Sequence, residues 1–378
     1  MTSPLREWLE LRAVKGLGPR LYTRLLNTFG SPQAIRSASR DDLMAHGEIS
    51  SSLAHAIHQP LPSEVQPLIE QELAAVESGK FSLLPFTDPH YPARLKTIPD
   101  PPPILAYTGQ LLPQDHYALA IVGARRASAP GRMFTQKLSG DLASLGFTIV
   151  SGLARGTDGM AHEGAIAASG RTLAVLGCGI DQMYPPEHRS LRATIEERGA
   201  VLSEFPMGTP PHAYHFPQRN RLISGLALGV IVTEATLKSG SLITARLALE
   251  QNREIFAVPG PVHHSLSKGP HLLIKQGAKL VEGVSDILEE IIPMLDPEFQ
   301  GQLEKQQLTT KDNSHLSDLG PEERHVLKLI PLDPVSLDEL ISQSSYSPSE
   351  VMSILLSLEI KGLIKQVPGL QYLQVPVR

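Results

Sequence analysis

The chain is short of several things, and each shortage closes off a class of function. Among its 378 residues there is one cysteine, Cys178. No internal disulfide can form, and the composition fits a reducing compartment. Set within LGCGID, that residue reads as a small buried side chain and not as a nucleophile. Aromatic residues make up only 5% of the chain. Positive charge is not in excess either: the formal net charge is -5 and the isoelectric point is about 6.3. No global field draws this protein to a polyanion, so such a ligand must meet a local cluster of Arg and Lys. No apolar run approaches the length of a membrane span, and the N-terminus has no basic–apolar–small signal pattern. The expectation is a soluble cytoplasmic protein with no membrane partner.

Missing motifs exclude more. The first strand of the core is followed by GARRAS instead of Gly-x-Gly-x-x-Gly. The second ends in Ser151-Gly152 with no acidic residue for a ribose, so a nicotinamide dinucleotide fits poorly. There is no Walker A loop, and Ser151 lacks the Gly-x-Ser-x-Gly frame of a nucleophile elbow. Asp158 and His162 share a helix face, but no third metal ligand has motif spacing. Both are read as structural hydrogen-bonding groups, and neither a metal nor a cofactor is expected.

What remains divides into five stretches. Residues 1–58 read as helical, with Trp8, Leu9, Leu11 and Val14 on one stripe and Leu21, Tyr22, Leu25, Leu26 and Phe29 on the next. Gly16-Leu17-Gly18-Pro19 between them gives the form of a helix-hairpin-helix or SAM-like domain, with a worn second copy near His46-Gly47-Glu48-Ile49. A small helical packing module is the alternative. Residues 59–115 are proline-dense and read as a connector packing on the core, with one helix near 63–78 and extended segments. Residues 116–295 alternate strand and helix. Their Val, Ile, Leu and Ala runs lack clean alternation, which indicates strands buried on both faces and a Rossmann-like, doubly wound, mainly parallel α/β sheet. Residues 296–318 read as a polar linker. Residues 319–378 give three helices and a two-stranded ribbon, the order of a winged helix, whose third helix carries Glu350 and Glu359 against only Lys361. That charge suits protein interaction or structure at least as well as DNA.

In such a core, ligands bind beyond the C-terminal ends of the strands near the switch point. There the sequence places Gly123, Arg125 and Arg126, then Ser151, Gly152 and Arg155, then Arg219-Asn220-Arg221, then Lys238-Ser239-Gly240 ahead of a helix. Glycine and serine let backbone amides approach anionic oxygen, a helix start supplies free N–H groups, and Arg and Lys supply charge. Phosphate is the ligand such a rim suits. One of Arg219 and Arg221 is expected to be structural, held by Glu204 or Glu234.

Five ordered blocks carry a family resemblance: AIVGARRAS, IVSGLARGTDGMAHEGAI, TLAVLGCGIDQMYPPEH, LSEFPMGTPPHAYHFPQRNRLISGL and VIVTEATLKSGSLITARLALEQNREIFAVPG. Together they resemble the bacterial DNA-processing protein A family (DprA, also called Smf). The resemblance implies a non-enzymatic single-stranded DNA binder that protects incoming strands in natural transformation, helps load the RecA recombinase, and forms homodimers through the Rossmann-like domain. It implies a DNA-phosphate pocket on Gly123, Arg125, Ser151, Gly152, Arg219, Asn220, Arg221, Lys238, Ser239 and Gly240, with Arg155 on the rim. Ala124 stands where family members often have Ser or Thr, and Gly269-Pro270-His271 replaces a more usual Gly-Thr-Asn in the region expected to pair the dimer. Stacking is expected to be minor, with Phe205, Tyr214 and Phe216 the rings able to supply it. Two alternatives use the same fold: a nucleotide phosphoribohydrolase and a small-nucleotide sensor. The hydrolase would need a Pro-Gly-Gly-x-Gly-Thr loop, where this chain has EATLKSGSLITA.

Overall fold

Every parallel strand of the central sheet but two is buried from end to end, so its apolar runs show no alternation. The structure, a computed structural model, describes residues 4–304, 319–331, 334–361, 363–367 and 369–374. Most of the stretch read as a polar linker, 305–318, lies outside the described residues. The chain divides into two compact units, Met1–Asp296 and Pro297–Arg378.

The first unit begins with helices Pro4–Arg12, Pro19–Phe29, Pro32–Ser37, Arg40–Ala45 and Ser51–His58. Ser31, Ser39 and Ser50 cap three of them, each hydroxyl accepting a backbone N–H that the helix cannot satisfy itself. Gly16 turns the chain at φ +89°, and Trp8 stacks on Tyr22 at 5.9 Å across that turn. The Tyr22 hydroxyl donates to the Trp8 carbonyl at 3.0 Å, so the first hairpin closes on its own buried polar atom. Gly47 joins the second helix pair, where a Cβ would lie 2.5 Å from the Leu43 carbonyl.

Nine strands follow: β1 (Ser82–Pro85), β2 (Ile104–Gly109), β3 (Ala118–Val122), β4 (Thr148–Ser151), β5 (Thr172–Val175), β6 (Ala200–Ser203), β7 (Gly229–Val232), β8 (Glu254–Ala257) and β9 (Lys279–Leu280). Their order across the sheet is β1-β2-β6-β5-β4-β3-β7-β8-β9. All neighbours from β6 to β9 are parallel, while β1 and β2 add on antiparallel. The proline-dense stretch therefore supplies two strands of the same sheet and not only extended cover. From β3 the chain winds outward to β6, then crosses back to β7 on the other side of β3. That reversal creates a switch point between β3 and β7.

Both ends of the helix after β3 are set by local bonds. Helix Ala129–Ser144 starts where the Ser128 hydroxyl accepts the Gly131 N–H at 3.0 Å and Pro130 suits a first turn. Phe147 closes that helix: its N–H goes to the Leu142 carbonyl beyond Gly146 at φ +89°. Among the described residues no helix is long and apolar enough to cross a membrane.

In the second unit, helices Pro321–Leu329, Leu337–Gln343 and Pro348–Ile360 pack with a three-stranded sheet. Its strands are β10 (Val335–Ser336), β11 (Ile364–Val367) and β12 (Gln371–Gln374), in the order β10-β12-β11. This is the helix and ribbon order of a winged helix. Glu350 caps its own helix through Ser347, and Lys361 pairs with Glu323 at 2.7 Å. Met352 and Leu356 are exposed on the third helix, leaving that face apolar instead of basic.

Candidate phosphate-binding cleft

The switch point opens into a cleft of about 350 Å³ between the ends of β3 and β7. Gly123, Arg125, Arg219, Asn220, Ser239 and Gly240 all line it, together with Asp158, Phe216 and Thr244. They come from the loop after β3 and from three separate helices, so the topology assembles what the sequence scatters over more than a hundred residues.

Arg125 is exposed on the loop after β3, and its guanidinium lies over the Phe216 ring, 5.0 Å from the centroid. The ring gives the cation a flat seat without neutralising it. Gly123 is needed beneath this loop, since a Cβ there would lie 2.4 Å from the Thr157 hydroxyl. Gly156 is needed too: it adopts φ +75°, and a Cβ would press on the Ala124 carbonyl at 2.3 Å. Ala124 itself is buried, its carbonyl accepting the Thr157 N–H at 3.2 Å.

On the opposite wall, β7 leads to exposed Lys238 and then to helix Gly240–Glu250. Ser239 caps it, accepting the Ser241 N–H at 3.3 Å, and its hydroxyl lies 2.5 Å from that of Ser241. Two hydroxyls and the positive end of the helix thus converge on one side of the cleft. Lys238 stands next to this cap but is not among the lining residues.

Arg219 serves differently. It is buried, and Nη1 donates to the Gly152 carbonyl at 2.7 Å and also to the Val175 carbonyl, while Nε donates to Asn220 Oδ1 at 3.2 Å. Burial lowers its pKa to about 10, with the Asp158 carboxylate opposing. Gly152 makes room for it, since a Cβ would meet the guanidinium at 2.6 Å. Asp158 is buried below and accepts the Gly152 and Ala154 N–H groups at 3.2 and 3.3 Å. Burial raises the Asp158 pKa, opposed first by Arg219. Sequence reasoning weighed Asp158 as a metal ligand beside His162, but the two go to separate partners. His162 Nδ1 lies 2.6 Å from the Thr172 hydroxyl, which donates onward to the Ile149 carbonyl, so Nδ1 carries the proton. Burial lowers the His162 pKa to about 3. No cluster of three metal-binding side chains occurs among the described residues.

The remaining residues named from the sequence lie outside the cleft lining. The Ser151 hydroxyl is buried and donates to the Ile121 carbonyl at 2.6 Å. Arg221 is buried against Glu204 and lies 3.2 Å from Asp100, so its charge is already matched. Arg155 is exposed and pairs with Glu187, whose pKa that hydrogen bond lowers to about 2. Glu234 takes neither arginine: its two oxygens accept the Ser128 N–H at 2.8 Å and the Ser128 hydroxyl at 2.6 Å, fixing the start of helix Ala129–Ser144. Nothing in the sequence showed that a glutamate from the next strand would meet it.

Residues 82–292 match the DNA recombination-mediator protein A family. The chain belongs to that family. Residues 311–369 match the DprA winged helix domain, and 9–59 a SAM-like helix-hairpin-helix tandem. Protein Smf of Synechocystis is 35% identical, with 97% of each chain covered. DNA processing protein A of Streptococcus pneumoniae superposes with a TM-score of 0.67 at 34% identity, covering 77% of this chain and 99% of that one. A structure of DNA processing protein A from Helicobacter pylori, described for its single-stranded DNA binding mode, gives a TM-score of 0.52 at 30% identity. It covers 57% of this chain and 98% of that one. Relative to the family pattern, Gly269 is required where it stands: its N–H donates to the Ala235 carbonyl at 2.8 Å, and a Cβ would lie 2.6 Å from that oxygen.

Proposed function

We propose that the cleft grips the phosphates of single-stranded DNA and that this family member acts in recombination by protecting incoming strands and loading RecA in the cytoplasm. One observation carries the reading. Arg125 is charged, exposed and seated on Phe216, opposite a capped helix start, and no carboxylate forms an ion pair with it among the described residues. Charge-assisted bonds from Arg125, with the Gly240 N–H, the Ser239 and Ser241 hydroxyls and a point charge from Lys238, suit a phosphate. Arg219 and Asp158 hold the floor in shape.

Binding without catalysis is part of the proposal. Both carboxylate oxygens of Glu234 are occupied by Ser128, and Glu234 does not line the cleft, which counts against a nucleotide hydrolase. A homodimer is also proposed. Exposed Leu249 and Leu272 line one groove beside β8 and β9, an apolar patch suited to a second copy. Two clefts on one strand then bind bivalently, so affinity rises with oligonucleotide length.

The test is fluorescence anisotropy of a labelled oligo-dT against the matched duplex, using the wild type and the Arg125→Ala/Lys238→Ala double variant. Tight single-strand binding that collapses in the double variant is expected. Equal binding by both proteins, or release of free base from a nucleoside monophosphate, would overturn it.

A further inference from the structure

The loop entering the cleft wall carries more rings than a lean aromatic content would suggest. From Phe205 to Phe216 it places Phe205, His212, Tyr214, His215 and Phe216 within one short segment. The rings form a ladder that runs outward. Buried Phe205 lies 4.3 Å from His215, and His215 lies 4.4 Å from Tyr214. Tyr214 and His212 then stack almost parallel, 11° apart with centroids at 5.3 Å. Tyr214 is 63% exposed, and His212 is exposed as well. The ladder therefore ends in an open aromatic surface.

That surface is stiff and adjoins the cleft. The loop is pinned by the Gly179 N–H to the Thr209 carbonyl at 2.9 Å and by the Gly208 N–H to Asp181 Oδ1 at 2.8 Å. Pro206, Pro210 and Pro211 further limit its backbone. Ala213, between the two outer rings in sequence, lines the cleft, as do Phe216 and Pro217. Phe216 is not available for a base, because Arg125 covers one approach and the Arg219 guanidinium lies 5.9 Å from its centroid. An exposed, rigid ring beside the cleft offers a π-face that any base can use.

We propose that the His212–Tyr214 ledge stacks a nucleobase of the strand whose phosphate occupies the Arg125 cleft. The inference rests on the phosphate reading above and adds a base contact to it. It makes affinity depend on the presence of a base and not on its identity. It also sharpens the choice of single strand over duplex, since bases paired inside a helix cannot reach the ledge.

The test compares oligo-dT with a strand of equal length whose internal sugars are abasic, both bound to the full chain. Wild type is expected to bind oligo-dT about tenfold more tightly than the abasic strand, the scale of one stacked base. Tyr214→Ala should remove that preference while leaving abasic binding unchanged, and Tyr214→Phe should retain it. Arg125→Ala should weaken both strands alike. If wild type binds both strands equally and Arg125→Ala still weakens them, the ledge is overturned and the phosphate cleft stands. A loss in Tyr214→Ala that is equal on both strands would also overturn the ledge. If neither strand binds wild type, both readings fall together.

Discussion

The two halves of the cleft use arginine in opposite ways. At the ends of β4 and β5, Arg219 is buried, bonded to two backbone carbonyls and balanced by Asp158, while Arg221 is held by Glu204 and Asp100. At the ends of β3 and β7, Arg125 and Lys238 are exposed and rest on little more than a ring and a helix cap. On the proposed reading, one side is a frame and the other is a grip. A charge that has already spent its donors inside the protein adds shape, whereas a solvated charge with free donors adds affinity.

The comparison breaks most visibly at Arg219. Replacing it with alanine leaves the Gly152 and Val175 carbonyls without their donor and Asp158 without its counter-charge. The loss expected is about 3–5 kcal/mol of stability. A lowered urea midpoint in the full chain is the check, and an unchanged midpoint would place Arg219 with the grip.

A pH titration sharpens the frame next. His162 has a folded-state pKa near 3 against 6.5 unfolded, so the unfolded chain binds more protons between those values. Stability is therefore full above pH 6.5 and falls as pH drops toward 3, by at most a few kcal/mol. Unfolding midpoints across that range should show a shallower acid decline in His162→Asn than in wild type.

At the grip, Arg125→Ala and Lys238→Ala should leave the unfolding midpoint unchanged and weaken single-strand binding uniformly across sequences. Each should reduce the slope of log affinity against log salt by about one. A change in unfolding with an unchanged slope would move these residues to the frame. The smallest effect belongs to the rim. Glu187→Gln frees Arg155 from an exposed pair that stability does not depend on. A gain in affinity of about twofold at low salt, vanishing at high salt, is expected from the same anisotropy titration.

Much of the fold was legible because each level of the sequence agreed with the next. Apolar runs without alternation required a covered parallel sheet, and serines before helices marked several starts. The strands β1 and β2 were hidden because prolines around them read as a connector, and only pairing with β6 shows that Ile104–Gly109 belongs to the sheet. In the cleft, loops after β3 and β7 could be named from residue type alone, since Gly, Ser, Arg and Lys at a strand end have few other uses together. Which arginine faces inward could not be read, because Arg219 and Arg221 sit two residues apart on one helix with the same chemistry. Glu204 as one arginine's partner follows from the sequence, whereas Glu234's bond to Ser128 joins groups 106 positions apart.

The sequence by itself determined the α/β pattern, the anion-suited loops and the lack of a Walker A or dinucleotide motif, because these follow from local periodicity and residue type. The tertiary structure decided which of those residues share a cleft, which charges remain unspent, and that His212 and Tyr214 end a ring ladder at its rim. Those outcomes depend on the crossover from β6 to β7, which brings distant loops together and fixes each side chain's partner.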